Sequence, residues 1–553
     1  MQKSSSTLGT RAAWISPAMV AVCAWVAVVL ALDPAGDHPQ AWSGPGLTVD
    51  ESFNVAQGVN FADRLFALDL AGFRDFDRRL PDHPPLGRLW IGLCHEFAYL
   101  IWPPADRSVP YSITCARTAS ATAFGLLVWL VGWYASRWYG TCGGLAAGVA
   151  TAIMPRTFGH AHLAALETMV NLTTVGTILY LANRWGDSTR DPFAPRRPEQ
   201  HPHLLNRWPW LTAAGLGGFL FGLALLTKVQ AVLLPIPVAI WMLWHFRVRG
   251  AVVTTIWGLV GLAVFFACWP YLWDAPLEHF RHYLGRTTDR AVLYVWYFGE
   301  SIADRDVPWH YPWLMFLVTV PAGLHLLGAW GLAGPHGRAW GQRREQLLLA
   351  CGLFPLVVFS VPGVAVYDGE RLFSFVFPLW AVLIGRGAAG FHNWLAARRP
   401  PHLATLVLSL FLAVQAYPLW ALAPAWLSYY NLGTGGLPGA TQWGLETSYW
   451  GDGLTRPLLD ETASRVAPGG TVAVLPTLHA AQWEELRRQC PSLNERQIRL
   501  APWGTPAAAE AEYVLLFVRP EYLPPEVLEM LHTKTPVAAL RRQGVVLAAL
   551  FER

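Results

Sequence analysis

The sequence predicts a polytopic α-helical membrane protein with a small C-terminal α/β domain, and three observations carry that prediction. Only 14% of the 553 residues are charged and 53% are hydrophobic, where a soluble domain carries about 25% charged residues. Apolar runs close to the ~20 residues that span a bilayer recur through residues 1–422. From 423 to 553 the composition changes to a Gly-rich stretch, NLGTGGLPGATQWG, and short apolar runs, TVAVLP and YVLLFV, with helix-like pieces such as AAQWEELRRQ between them. That pattern fits a compact α/β unit of ordinary domain size. The net charge of +4 gives no nucleic-acid signature. Seven scattered cysteines without a C-x-x-C pair indicate neither a disulfide framework nor a zinc finger.

The first apolar run, Trp14 to Leu32, follows Lys3 and Arg11. It exceeds the roughly 7–15 residues of a signal-peptide core and reads as an uncleaved anchor. Further spans are expected near 112–135, 141–156, 162–182, 210–227, 229–246, 251–269, 313–332, 346–364, 372–389 and 402–422, about eleven in all by the ~20-residue rule. Arginines orient them. With the N-terminus cytoplasmic, every inner connection is basic: Arg137; Arg184, Arg190, Arg196, Arg197 and Arg207; Arg247 and Arg249; Arg338, Arg343 and Arg344; Arg398 and Arg399. The segment LGRLWIGLCHEFAYLIW (86–102) carries Arg88, His95 and Glu96, so an amphipathic helix on the membrane surface is expected there. The extracytoplasmic side then receives the loop 33–110, a turn near 156–162, the loop 270–312 and the domain 423–553. The expected location is the cytoplasmic (inner) membrane, with the site facing outward.

The loop 33–110 contains TVDESFN (48–54), an acid pair close behind the first span. Val55, Val59, Ala62 and Phe66 recur behind it at helical spacing, so Asp50 and Glu51 head an amphipathic helix. Thr48 with Glu51 three residues on also reads as a capping box, which accounts for Glu51 but not for Asp50. The loop ends in PDHPPLGR (81–88), which fixes the backbone beside His83. Three more stretches project to the same face: MPRTFGHAHLAALE (154–167), with Arg156, His160, His162 and Glu167; GLALLTKVQAVLLP (222–235), with Lys228; and VYDGERLFSFVFP (366–378), with Tyr367, Asp368, Glu370 and Arg371. Lys228 alone could snorkel to the interface. Several cations facing an acid pair mark a candidate functional site.

The order DE, HPPLGR, G-x-A-x-x-T-K and Y-D-G-E-R, followed by WPYLWDAP (269–276), PWHYPW (308–313) and YYNLGTGG (429–436), resembles the GT-C glycosyltransferases. The nearest branch is that of protein O-mannosyltransferases and lipid A aminoarabinose transferases. The resemblance runs from about residue 14 to 450. It implies a GT-C-like fold, a polyprenyl-phosphate-linked sugar as donor and an extracytoplasmic hydroxyl acceptor (glycan, lipid or protein). It also implies that Asp50 is the catalytic base. HPP replaces the lysine-containing motif of the aminoarabinose branch, a departure that counts against a lipid A activity.

The chemistry agrees with that expectation. Attack of a hydroxyl on an anomeric carbon needs a general base, and a phosphate leaving group needs cations rather than a second acid. Asp50 is therefore the candidate base, with Glu51 orienting the acceptor or the helix. Lys228, Arg371 and Arg156 are candidates for the donor phosphate. His83, His160, Tyr367, Asp368 and Glu370 are candidate substrate contacts. No cofactor is expected. His160, His162 and Glu167 have metal-ligand chemistry, but positions two apart on a helix face different sides, and no zincin motif is present. Within the same fold the alternative is transfer to protein Ser or Thr. Outside enzymes it is a transporter or flippase, against which the absence of an internal repeat and the clustering of charge at one membrane face both count.

Overall fold

The computed structural model describes residues 4–77, 81–107, 109–194, 209–288, 291–334, 338–448 and 450–553. Arg196, Arg197 and Arg207 lie outside the described residues. The helices that frame the site are α1 (Ser4–Val29), α2 (Glu51–Phe66), α3 (Leu70–Asp77), α4 (Pro85–Ile101), α5 (Ile113–Ile153), α6 (Pro155–His160), α7 (Glu167–Trp185), α8 (Pro209–Thr227), α9 (Pro235–Ala267), α10 (Pro276–Thr288), α11 (Tyr311–Thr319), α12 (Ala322–Ala333), α13 (Arg343–Val358), α14 (Val376–Ala396) and α15 (Pro401–Gln415).

Among the described residues, four stretches are helical, long and apolar enough to cross a membrane: Ile113–Ile153, Pro209–Thr227, Val229–Ala267 and Pro401–Ala421. The bent pair α11 and α12, which turns through 107°, makes up to five. The other expected spans form helices that are shorter or more polar. The apolar part of α1 is Ile15–Val29, α13 has 16 residues, and α7 starts only at Glu167 because 161–166 are turns. Helix α14 carries Arg386, buried and donating to the Gly331 carbonyl.

Two of the long stretches double back. In α5, Gly140 has φ +82, a conformation open to glycine at little cost. A Cβ on Gly144 would lie 2.6 Å from the Gly132 carbonyl, and one on Gly148 would lie 3.6 Å from that of Val128. Residues 20 apart on one straight helix are ~30 Å apart, so the two halves run antiparallel. In α9 the break is at Arg247 (φ 50, ψ −127), and Gly250 returns against Met242. Both reversals fall at basic residues, as the sequence places its inner connections. Helix α5 packs on α1 and α14, α8 on α9, α12 on α14, and α2 on α4.

Helix α4 buries Gly87, Arg88, Ile91, Gly92 and His95 and leaves Phe97, Leu100 and Ile101 exposed. Its charge is structural. Arg88 donates to both Asp82 oxygens (2.6 and 2.8 Å) and, through Nε, to Asn54 of α2 (3.0 Å). This fork ties PDHPPLGR to the helix headed by the acid pair.

The C-terminal unit is a mixed five-stranded sheet. The loop before α11 contributes the hairpin β1 (Tyr294–Tyr297) and β2 (Glu300–Ala303), and the sheet comprises β3 (Thr471–Leu475), β4 (Arg499–Pro502), β5 (Tyr513–Phe517), β6 (Ala538–Arg542) and β7 (Val545–Glu552). The strand order is β4-β3-β5-β7-β6. TVAVLP and YVLLFV supply the parallel pair β3 and β5, and their near-continuous apolar character matches strands buried on both faces. AAQWEELRRQ is helical over Ala480–Gln489.

Candidate functional site

Asp50 is the residue immediately before α2. Its place is set by its neighbour. Glu51 is fully buried and accepts from Arg117 Nε (2.7 Å) and Nη2 (2.8 Å), the Ala164 amide (2.8 Å), and the Thr48 amide and hydroxyl (2.9 and 3.0 Å). Arg117 spends its remaining donors on the carbonyls of Leu32, Pro45 and Gly46 (2.7–2.9 Å). A guanidinium has five N–H donors, and all five are used. Of the two roles expected for Glu51, orienting the acceptor or the helix, a carboxylate with no exposed surface and a full set of donors fits the second, and it anchors the 30–50 loop. The Thr48–Glu51 contact is present, but Thr48 donates to the carboxylate rather than capping the helix with its oxygen.

The anchor leaves Asp50 with its side chain 27% exposed, against Arg371 Nη2. Arg371 is the hub. Its Nε donates to Glu167 (2.8 Å) and its Nη1 to Asp368 (3.0 Å), and it lies over the Trp450 ring at 4.4 Å. Lys228 donates to Glu167 as well. Its side chain is 4% exposed, which removes the snorkelling alternative: the chain is extended at Lys228 (φ −162), between α8 and the 3-10 helix Val229–Leu233, and the ammonium turns inward to a carboxylate. Glu167 thus joins the two cations that sequence reasoning had paired only by face.

Arg371 depends on an uncommon turn. Asp368 (φ +54) and Gly369 (φ +65) are both left-handed. The Gly369 amide donates to the Tyr311 hydroxyl (3.0 Å), and a Cβ there would meet Arg156 Nη1 at 2.7 Å. Glycine is required on both counts. Tyr311 comes from PWHYPW. Arg156 donates from Nε to the Tyr429 carbonyl (3.1 Å) of YYNLGTGG and from Nη1 to Glu370 (2.6 Å). The three motifs therefore meet around one turn.

The same contacts separate the expected residues into two tiers. Arg156 and Glu370 are both buried and paired with each other, so Arg156 braces the turn instead of standing with Lys228. Glu370 and Asp368 are likewise buried. His160 Nε2 lies 3.6 Å from Glu370, while His162 points elsewhere, donating Nδ1–H to the Phe158 carbonyl and lying tilted against the Trp426 ring, 4.2 Å between centroids. Tyr367 is half-buried, with Arg371 6.0 Å from its ring. His83 Nδ1 is buried with no hydrogen-bond partner among the described residues, and burial, together with Arg88, Lys228 and Arg371, pushes its imidazole down to about 3 against the pull of Asp82. It is neutral at physiological pH. Among the described residues no group of three or more His, Cys, Asp or Glu is arranged to hold a metal ion.

Sequence reasoning missed Arg117, Trp450 and Arg519. Arg117 reads as a stray cation in an apolar helix, and the other two lie in segments without a recognisable motif.

No protein-family model matches the chain, and no curated protein matches it. Solved structures do. The chain is similar to ArnT from Cupriavidus metallidurans in the apo state, at 14% identity over 96% of both chains and a TM-score of 0.47. The same protein bound to undecaprenyl phosphate matches with a TM-score of 0.44. The archaeal oligosaccharyltransferase AglB from Archaeoglobus fulgidus, in complex with an inhibitory peptide and a dolichol-phosphate, matches at 12% identity and a TM-score of 0.48, over 90% of this chain and 69% of its own.

Proposed function

We propose that this protein is an integral-membrane, inverting glycosyltransferase that moves a sugar from a polyprenyl-phosphate carrier to an extracytoplasmic hydroxyl acceptor. The observation that carries the reading is the placement of a partly exposed carboxylate, Asp50, directly against Arg371, with Lys228 one carboxylate away. In this reading about eleven spans hold the site at the outer face. The acceptor oxygen attacks the anomeric carbon and its proton passes to Asp50. The bond to the phosphate oxygen breaks with its electron pair, and Arg371 and Lys228 receive the charge. Attack on the face of the anomeric carbon opposite the phosphate gives inversion. Arg371 pairs with Asp50, and a phosphate that draws Arg371 away releases the carboxylate to act as base.

Two variants test the donor site. Arg371→Lys loses the fork that reaches Glu167, Asp368 and Asp50 together. Each charged hydrogen bond contributes about 1.5–3 kcal/mol, or about 10–100-fold, so titration of a polyprenyl phosphate should show a loss of that size. Lys228→Met also strips a buried partner from Glu167, so it is paired with Lys228→Met/Glu167→Gln, which removes both charges. Unchanged donor affinity in Arg371→Lys and the double variant removes these groups from the phosphate site.

The pH profile is a second check. Burial raises the Asp50 carboxyl above its ordinary value, with Arg371 opposing and Glu167 adding to the rise. A base must be deprotonated, so kcat/KM should fall on acidification at a pH above ~3.9, the ordinary Asp value. The Asp50→Asn variant should lack that limb. An identical limb in the variant assigns it to another group.

Orientation is tested without enzymology, in a background free of native cysteines. Cysteines introduced after residue 455 or within 280–300 should react with an impermeant thiol reagent from outside, and those within 190–205 should not. The opposite pattern puts Asp50 on the cytoplasmic face and favours a nucleotide-sugar donor.

A further inference from the structure

We propose that Arg519, contributed by the C-terminal unit, is a positioning residue for the site: it holds Asp368, and through Asp368 it sets Arg371 against Asp50. The inference rests on the proposed function for what Arg371 does, but the chain of contacts stands by itself. Arg519 follows β5 and is 3% exposed. Its Nη2 donates to Asp368 Oδ1 (3.0 Å) and its Nε to Glu521 (2.6 Å), and its guanidinium lies over the Tyr522 ring at 4.7 Å. The second Asp368 oxygen, Oδ2, accepts from Trp450 Nε1 (3.0 Å) and from Arg371 Nη1 (3.0 Å). Both oxygens are therefore committed, one to the C-terminal unit and one to the hub.

Simple docking of the C-terminal unit is the competing account, and it fits less well. The unit is already fastened elsewhere: Gln482 donates to the Leu47 carbonyl (3.1 Å), Gln489 to the Tyr111 carbonyl (2.9 Å), and the part-exposed Arg456 to Asp33 (3.1 Å). A buried guanidinium is an expensive fastener unless its charge has a use. Asp368 gives it one. A non-glycine residue at φ +54 is uncommon, and such a conformation persists only where surrounding contacts over-determine it. Glu446 lies 3.7 Å from Arg519 Nε. Burial and the neighbouring Glu521 push its carboxyl well above the ordinary range, whereas Asp368 holds the guanidinium at hydrogen-bond distance, 3.0 Å.

The test uses the full chain in lipid nanodiscs with Arg519→Gln, Arg519→Lys and, as a docking control, Gln489→Ala. Arg519→Gln should lower kcat/KM for the polyprenyl-phosphate sugar about 10–100-fold, the effect of one misplaced charged contact, with the acceptor KM unchanged. Arg519→Lys should recover part of the loss, and Gln489→Ala should show none. Equal effects of Arg519→Gln and Gln489→Ala, or none from either, overturn the proposal. A readout without activity runs beside it: thermal unfolding of Arg519→Gln, Arg371→Lys and the double variant. Contact through Asp368 makes their effects non-additive, and additive effects refute the link. A wild-type protein that transfers no sugar refutes the proposed function instead, and the unfolding cycle still decides the role of Arg519.

Discussion

Asp50→Asn is expected to bind the donor at least as well as the wild-type protein and to turn over roughly 10²–10⁴ times more slowly, the range that general-base catalysis supplies. The amide keeps the size of the carboxylate and loses its basicity. Its cost to the fold should be small for a reason specific to this site. Arg371 keeps Glu167 and Asp368 as partners when Asp50 is neutralised, so no cation is stranded, and the Asp50 side chain is partly solvated already. Donor affinity should hold or rise, because the phosphate no longer competes with Asp50 for Arg371. Steady-state turnover with a fixed acceptor, alongside donor titration, separates the two effects. Near-normal turnover places the base elsewhere.

Arg117→Met is expected to be the most destabilising single change among the contacts that anchor the 30–50 loop, by about 3–5 kcal/mol. It removes the partner of a carboxylate with no exposed surface and leaves the carbonyls of Leu32, Pro45 and Gly46 without their donor. Glu51→Gln should cost less, since Arg117 keeps its three carbonyl acceptors, although the single amide oxygen can accept from only one of the Thr48 and Ala164 amides. The double variant should be more stable than Arg117→Met alone, because no buried charge is left unpaired. Thermal unfolding in detergent measures all three. A double variant as unstable as the sum of the singles would mean that the pair is not coupled.

These two residues also show what the sequence could and could not disclose. Asp50 and Glu51 stand out because charge beside a membrane span is costly, but adjacency hides their difference. Only the fold turns one toward Arg117 and the other toward Arg371, 321 positions away. Lys228 and Arg371 are legible as cations among apolar residues. Glu167, which joins them, is legible as a carboxylate but not as their partner. Arg519 carries no local signal, since its meaning lies in a strained turn 151 residues upstream. Helix boundaries fared similarly. Gly140 and Arg247 reverse the chain where basic residues suggest inner turns, whereas α7 and α14 carry polar residues whose tolerance depends on buried partners that periodicity does not reveal.

The central claim is that this constellation transfers sugar from a lipid phosphate. Purified protein in nanodiscs, supplied with a panel of radiolabelled polyprenyl-phosphate sugars and a membrane extract as acceptor source, tests it most directly. The account predicts label transferred to a product by the wild-type protein from at least one donor, with transfer lowered roughly 10²–10⁴-fold in Asp50→Asn. Transfer that proceeds equally in Asp50→Asn, or label that crosses sealed vesicles without joining any product, would contradict it.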